Sequence, residues 1–214
     1  MTMWIEGYLV VLVLTDLWLL GSSRLVSCIA AVSVQGVLLG VLPLVLGSEA
    51  PLWRLALQAA LGLSLKGIVF PILLMRAARS VNVRREVEPF VSYPASLAVG
   101  VLLLVLSLWL ASRLPVPGSH GPRLLVAGAL FMALTGLFII VGRKSALVQA
   151  LGYLAMENGI SAFGMALAEQ EPLLVEMGTL LDVFVGVFVM GIIINHIGRE
   201  FDHIDSDRLT NLKG

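Results

Sequence analysis

The chain alternates long apolar stretches with short polar breaks, and this pattern predicts membrane-spanning helices. About 20 apolar residues in a helix cross a hydrocarbon core of about 30 Å. The stretches of suitable length are Met3–Leu20, Arg24–Leu46, Leu52–Met75, Tyr93–Ala111, Arg123–Val141, Ala146–Ala168 and Leu173–Ile197. Charged residues, glycine and proline fill the breaks between them. The pattern predicts an all-α polytopic membrane bundle of about seven transmembrane helices.

Composition supports the same conclusion. Of the 214 residues, 58% are hydrophobic and 13% are charged, which is too little polar surface to cover a soluble core. The formal net charge is zero, and without a basic stripe we expect no nucleic-acid partner. Cys28 is the only cysteine, which excludes an intrachain disulfide and a cysteine-ligated metal centre. We therefore expect no cofactor in this chain, and the lipid bilayer as its main solvent.

The distribution of lysine and arginine predicts the orientation, because cytoplasmic loops retain an excess of these residues. An N-terminus outside places ten basic residues inside: Arg24, Arg76, Arg79, Arg84, Arg85, Arg143, Lys144, Arg199, Arg208 and Lys213. It leaves Arg54, Arg113 and Arg123 outside, with Lys66 in neither set. This bias requires an odd number of spans, so we predict an N-terminus outside and a cytoplasmic C-terminus.

Four charged residues lie near the bilayer centre in predicted spans, where each costs about 2.5–3.5 kcal/mol unless a partner, water or a function offsets it. At about 1.5 Å per residue, Asp16 and Lys66 lie roughly 20 Å from the outer ends of their helices. Glu157 lies about 16 Å from the inner end and Asp182 about 13 Å from the outer end. Although the helices alternate in direction, all four fall in the middle third of the membrane.

Other polar residues extend this layer or flank it. Gln35 is at similar depth and Asn158 follows Glu157, so neutral groups are present that can hold water or relay a proton. Glu176 lies about 4–5 Å into its helix, at an interface or outer mouth, and His196 lies at a helix end. The functional interpretation is a lateral proton path. The alternative is a buried pair of Lys66 with one acid that fixes helix packing, with Asp16 near a water-exposed end.

Several segments resemble the hydrogenase-4 component E family, which comprises membrane subunits of formate hydrogenlyase and related complex I-like hydrogenases. They are GYLAMENGI (Gly152–Ile160), EMGTLLDVFVGVFVMGIIINHI (Glu176–Ile197), SLKGIVFPILLMRAAR (Ser64–Arg79) and the terminal LTNLKG (Leu209–Gly214). The last three spans also resemble subunit K, or chain 4L, of NADH–quinone oxidoreductase and the C subunit of cation/proton antiporters. The resemblance covers most of the chain.

In chain 4L, membrane glutamates in the second and third helices belong to the proton-conducting polar axis. The third-helix glutamate matches Asp182, and Gly186 follows at the spacing of that family. The second-helix glutamate falls on Leu154, so this chain departs from the pattern by placing its acid at Glu157. Positions three apart share a helix face, which preserves the direction of the acid. The orientation of chain 4L also agrees with the one predicted from the basic residues.

The resemblance implies a function and a setting. It implies a non-catalytic membrane-arm subunit of a complex I-like hydrogenase, with nickel–iron and iron–sulfur centres and antiporter-like membrane chains as partner subunits. It places the chain in a bacterial or archaeal cytoplasmic membrane. It divides the chain into a four-helix extension (1–122), a three-helix unit like chain 4L (123–198) and a cytoplasmic tail (199–214). The alternatives are a subunit of a cation/proton antiporter without a redox partner, and a purely structural scaffold.

Overall fold

The computed structural model describes residues 2–46, 51–80, 90–114, 120–167 and 191, and the regular elements in them are helices. These are α1 Thr2–Gly21, α2 Leu25–Leu46, α3 Leu52–Gly62, a π-helical segment Leu63–Val69, α4 Phe70–Ser80, α5 Tyr93–Arg113, α6 His120–Gly142 and α7 Ala146–Ala166. The all-α prediction is confirmed for this part of the chain. The predicted seventh span, Leu173–Ile197, lies outside the described residues apart from Gly191.

Four stretches of the described residues are long and apolar enough to cross a membrane: Leu25–Leu44, Ala59–Arg79, Tyr93–Arg113 and Arg123–Gly142. The helices α1 and α7 lie on two further predicted spans. The third predicted span ended at Met75, but its helix continues to Ser80. Ala77 and Ala78 there are buried while Arg76 and Arg79 are exposed, so amphipathic packing prolongs the helix beyond its apolar stretch.

Four helices, α1, α2, α7 and α6, pack in a ring in that order, with α6 also against α1. The π segment (Leu63–Val69) and its flanking helices lie along α2, and α5 lies against α1 and α6. Small residues bring α6 and α7 closest: a Cβ on Gly152 would be 2.9 Å from the Gly136 carbonyl oxygen, and one on Gly159 would meet the backbone of Ala133. Helices that contact through glycine in this way are typical of membrane proteins.

The ring contains two apolar clusters at different heights. The first cluster joins α1, α2, α4, α6 and α7 and includes Leu19, Ile29, Phe70, Ile139 and Leu151. The second cluster joins α1, α2, α6 and α7 and includes Leu9, Leu39, Leu125, Met132 and Ala162. Along each ring helix the chain passes from one cluster to the other, and the residues between the clusters form the candidate site.

The π segment arises where Pro71 interrupts the helical hydrogen bonds. Proline has no N–H, so the carbonyl of Gly67, four residues earlier, loses its usual donor. The Ser33 hydroxyl of α2 donates to that carbonyl at 3.1 Å. The N–H of Phe70 donates to the carbonyl of Leu65, five residues back, as in a π turn. The structure therefore shows a widened helix with Lys66 at its centre.

Candidate functional site

At least one buried polar residue separates the two clusters on each ring helix. Asp16 lies between Leu12 and Leu19, and Gln35 lies between Val32 and Leu39. Likewise, Thr135 separates Met132 from Ile139, and Glu157 separates Leu154 from Ala162. We call these four residues, with Lys66 of the π segment, the polar layer; all five are at least 96% buried, from Asp16, Gln35 and Thr135 at 0% exposure to Lys66 at 4%.

Lys66 and Glu157 form a buried ion pair across the layer. Lys66 Nζ donates to Glu157 Oε1 at 2.8 Å, and the side chains are 4% and 1% exposed. The bond connects the third predicted span to the sixth, 91 residues apart in sequence. A lysine or glutamate alone at this depth would be strongly unfavourable, whereas each stabilises the charge of the other.

Asp16 and Gln35 form a second buried contact, between α1 and α2. Gln35 Nε2 donates to Asp16 Oδ1 at 2.8 Å and to Thr15 Oγ1 at 3.1 Å. The Thr15 hydroxyl in turn donates to the Leu12 carbonyl at 2.7 Å. Asp16 is therefore deep in the bundle, and the alternative of a water-exposed end is wrong.

Glycines of α2 determine where Lys66 lies. A Cβ on Gly36 would be 2.6 Å from Lys66 Cβ and 2.8 Å from the Lys66 carbonyl oxygen. A Cβ on Gly40 would be 2.9 Å from Leu63 Cγ, and Gly62 lies opposite Gly40. Gly36 immediately follows Gln35, so the close backbone contact places the ion pair beside the acid–amide pair.

The structure thus brings together four of the residues predicted for the site, as two bonded pairs: Asp16 with Gln35, and Lys66 with Glu157. Asn158 is 2% exposed and follows Glu157 on α7. The other predicted residues, Glu176, Asp182 and His196, lie outside the described residues. Among the described residues, no three histidine, cysteine, aspartate or glutamate side chains cluster as metal ligands would.

Sequence reasoning missed Thr135 and the burial of Arg143. Thr135 is the one polar residue between Leu124 and Val141, so an isolated hydroxyl in an apolar span was the available signal. Arg143 was counted as a loop residue because it stands in the break GRKS. The structure shows it 2% exposed, and its burial depends on contacts with other helices that no local pattern reveals.

Arg143 connects the ends of three helices. Its Nη2 donates to the Leu20 carbonyl of α1 at 2.8 Å, and its guanidinium carbon lies 4.5 Å from the centre of the Tyr93 ring on α5. Its own carbonyl accepts from Gln149 Nε2 of α7 at 2.8 Å. A cation at the C-terminal end of α1 also complements the helix dipole.

The fold and the layer define a helical membrane protein with a buried polar layer. The chain belongs to the same family as the uncharacterized protein Rv0085 of Mycobacterium tuberculosis, to which it is 30% identical over 204 residues, 94% of this chain and 92% of the relative. No protein-family model matches the chain. No solved structure is significantly similar to it.

Proposed function

We propose that this chain is a membrane-arm subunit of a complex I-like hydrogenase and that its polar layer forms part of a proton path. In this proposal the chain spans a bacterial or archaeal cytoplasmic membrane seven times, with its N-terminus outside. Asp182 and Glu176, in the seventh span, continue the path toward neighbouring membrane subunits. The redox centres belong to partner subunits, and this chain carries no catalytic residue.

The observation that carries the proton path is the bond between Lys66 and Glu157. Two opposite charges in a low-dielectric layer are strongly coupled, so a proton gained by Glu157 leaves the charge of Lys66 unbalanced. A change of charge in a neighbouring subunit therefore alters the proton affinity of the pair. This response is what a proton-coupled membrane arm requires.

The assignment to a hydrogenase rests on the resemblance, and the ion pair provides one further observation in its support. The two resembling segments Ser64–Arg79 and Gly152–Ile160 are far apart in sequence, yet they meet at the contact of Lys66 with Glu157. Segments that resemble one family and also contact each other are the expected arrangement for a shared site.

Residues at the ends of α5 favour the proposed orientation. The exposed Lys144 lies 5.1 Å from the Phe90 ring near the start of α5, beside Arg143. At the other end, Arg113 lies 5.6 Å from the Trp109 ring. Aromatic residues with adjacent cations are typical of the two membrane interfaces. Arg123 adds a cation at the Arg113 end, and Arg24, just after α1, adds one at the end that holds Arg143 and Lys144. The end with three cations is expected in the cytoplasm.

The experiment measures proton uptake by the complete complex in vesicles during hydrogen turnover. We expect the assembled fraction of Glu157→Gln to lose coupled proton movement while hydrogen turnover continues. Glu6→Gln is the matched control, because Glu6 is exposed on α1 and outside the layer. Retained proton uptake by Glu157→Gln would disprove the path. Mass spectrometry of the purified complex tests the hydrogenase assignment, and absence of a nickel–iron large subunit together with sodium-dependent transport would favour the antiporter alternative.

A second candidate function is that of a structural scaffold, and the bond between Lys66 and Glu157 favours this function as well. The pair joins α7 to the π segment, so it also fixes helix packing. In this case Lys66→Met/Glu157→Gln would lower the yield of the complex while the assembled fraction would pump as the wild type does. A proton path predicts the opposite result, with near-normal yield and no pumping.

A further inference from the structure

Thr135 is buried in the polar layer but belongs to neither of the two bonded pairs. It is 0% exposed, and no hydrogen-bond partner for its Oγ1 is present in the part of the chain that the structure describes. Most buried hydroxyl groups in proteins are hydrogen-bonded to protein or to ordered water. The position of Thr135 relative to Asp16 and Gln35 indicates what it binds.

Helix periodicity places Asp16 and Thr135 on the faces of α1 and α6 that contact each other. The side chain of Leu9 lies against Gly128, where a Cβ would be 2.9 Å from Leu9 Cδ2. Further along both helices, Arg143 beyond α6 donates to the Leu20 carbonyl near the end of α1, so the two helices run in the same direction. Asp16 follows Leu9 by seven positions, about two helical turns, and Thr135 follows Gly128 by seven positions. Each therefore lies on the same face of its helix as the residue that makes the contact.

The hydrogen bonds of Asp16 and Gln35 leave two acceptor atoms. The two hydrogens of Gln35 Nε2 are donated to Asp16 Oδ1 and Thr15 Oγ1, and the Thr15 hydroxyl donates to Leu12. Asp16 Oδ2 and Gln35 Oε1 are buried, and no donor for either lies within the described residues. Two acceptors on α1 and α2 and one hydroxyl group on α6 are therefore left without a hydrogen-bond partner among the described residues, and helix periodicity turns the α6 hydroxyl toward α1.

We propose that Asp16, Gln35 and Thr135 bind one water molecule in the polar layer. The water donates its two hydrogens to Asp16 Oδ2 and Gln35 Oε1 and accepts the hydroxyl hydrogen of Thr135. All three groups are then satisfied by one molecule, and about three hydrogen bonds are usual for a buried water. Water fits the site because the acceptors need two donors and the threonine needs an acceptor.

This water extends the acid–amide pair toward the ion pair. Gly136, next to Thr135, packs against the backbone of Met156, which precedes Glu157. A water at Thr135 therefore supplies a proton carrier between Asp16 and the side of the layer that holds Glu157. Its role as a relay rests on the proposed function, whereas its binding does not.

Crystallography in a lipid mesophase at about 2 Å resolution tests the binding, using the full-length wild type, Thr135→Ser and Thr135→Val. We expect one water within about 2.7–3.2 Å of Asp16 Oδ2, Gln35 Oε1 and the hydroxyl of residue 135 in the first two. Thr135→Val, which preserves shape, should lose it. A wild type without this water, or with the Thr135 hydroxyl donating directly to Asp16 Oδ2, would overturn the inference.

Infrared spectroscopy gives a second measurement that needs no crystal of the valine variant. Exchange into H2 18O should shift one buried O–H stretching band in the wild type and in Thr135→Ser, and that band should be absent from Thr135→Val. Ser107→Ala is the control, because Ser107 is also buried but its hydroxyl donates to Leu103 within α5. Loss of the band in Ser107→Ala, or its persistence in Thr135→Val, would contradict the assignment.

Proton uptake by the complete complex separates this inference from the proposed function. If the water is present and Thr135→Val slows proton uptake at least tenfold, the relay is supported. If only Glu157→Gln impairs uptake, the water is not a relay although the proton path remains. If neither variant impairs uptake, the proposed function fails while a water observed at the site still establishes the binding.

Discussion

Gly36 lies against the backbone of Lys66, close enough that a Cβ on Gly36 would be 2.6 Å from Lys66 Cβ. This contact lets the π segment pack directly against α2, and it exists because residue 36 has no side chain. The position of a charge in the membrane thus depends on a neutral residue of another helix.

Gly36→Ala should therefore destabilise the protein and displace Lys66. The added methyl meets backbone atoms that cannot move aside, and overpacking of this kind costs about 1–3 kcal/mol. Thermal unfolding of the purified chain in mild detergent measures the effect. Gly7→Ala is the control, since a Cβ there meets nothing within 4 Å. Equal stability of Gly36→Ala and Gly7→Ala would contradict the close contact.

The Lys66–Glu157 pair should show strong coupling in a double-mutant cycle. Lys66→Met leaves Glu157 without its buried counter-charge, and loss of one partner of such a pair typically costs about 3–5 kcal/mol. Lys66→Met/Glu157→Leu removes both charges and should recover much of that loss. The free energies of unfolding of the two single variants and the double variant test this. Simple additivity would mean that the pair contributes no stabilisation.

The sequence predicted much of the fold because a bilayer imposes a strong pattern. Helix positions followed from apolar length alone, and the rise of a helix placed Asp16, Lys66 and Glu157 far from their helix ends, where the structure buries them. The hydrogen-bond partners of these residues could not be predicted in this way, because the depth of a residue does not show which helices are adjacent. The Lys66–Glu157 bond joins residues 91 apart, and only the packing of both the π segment and α7 against α2 brings them together.

Thr135 and the burial of Arg143 could not be predicted for the same reason: they depend on contacts between helices. Thr135 is one hydroxyl in an apolar span, and its importance appears only beside Asp16. Arg143 follows the end of an apolar span, where a basic residue usually lies in water, yet contacts with α1 and α5 bury it. The π segment depends on Pro71 and on Ser33 of another helix, so a local pattern predicts a bend and not a widened turn.

The effect of a substitution at Ser33 on stability should depend on whether residue 71 is proline. Ser33→Ala removes the hydroxyl that donates to the Gly67 carbonyl, and loss of a part-buried hydrogen bond of this kind costs about 0.5–1.5 kcal/mol. Pro71→Ala supplies a backbone N–H that can reach the same carbonyl. In the Pro71→Ala background, Ser33→Ala should therefore cost much less. Thermal unfolding of the four proteins measures the difference, and an equal cost in both backgrounds would contradict the explanation.

Arg143→Lys should destabilise the protein although it preserves the charge. Lysine cannot reproduce the planar group that donates to the Leu20 carbonyl and stacks on the Tyr93 ring. We expect a loss of about 1–3 kcal/mol, as for a buried acceptor that loses its donor. Lys144→Gln is the control because Lys144 is exposed. A lower unfolding temperature for the control than for Arg143→Lys would contradict the role of Arg143.

The orientation of α6 can be tested with single cysteines. Arg113 and Lys144 are exposed and flank α6, so a membrane-spanning α6 places them on opposite sides. A membrane-impermeant maleimide should label Arg113→Cys in intact cells and Lys144→Cys only after permeabilisation. Cys28 is 4% exposed within the first cluster, so the wild type should stay unlabelled until it is denatured. Labelling from the same side would show that α6 does not span, and the reversed pattern would invert the orientation and place the N-terminus in the cytoplasm.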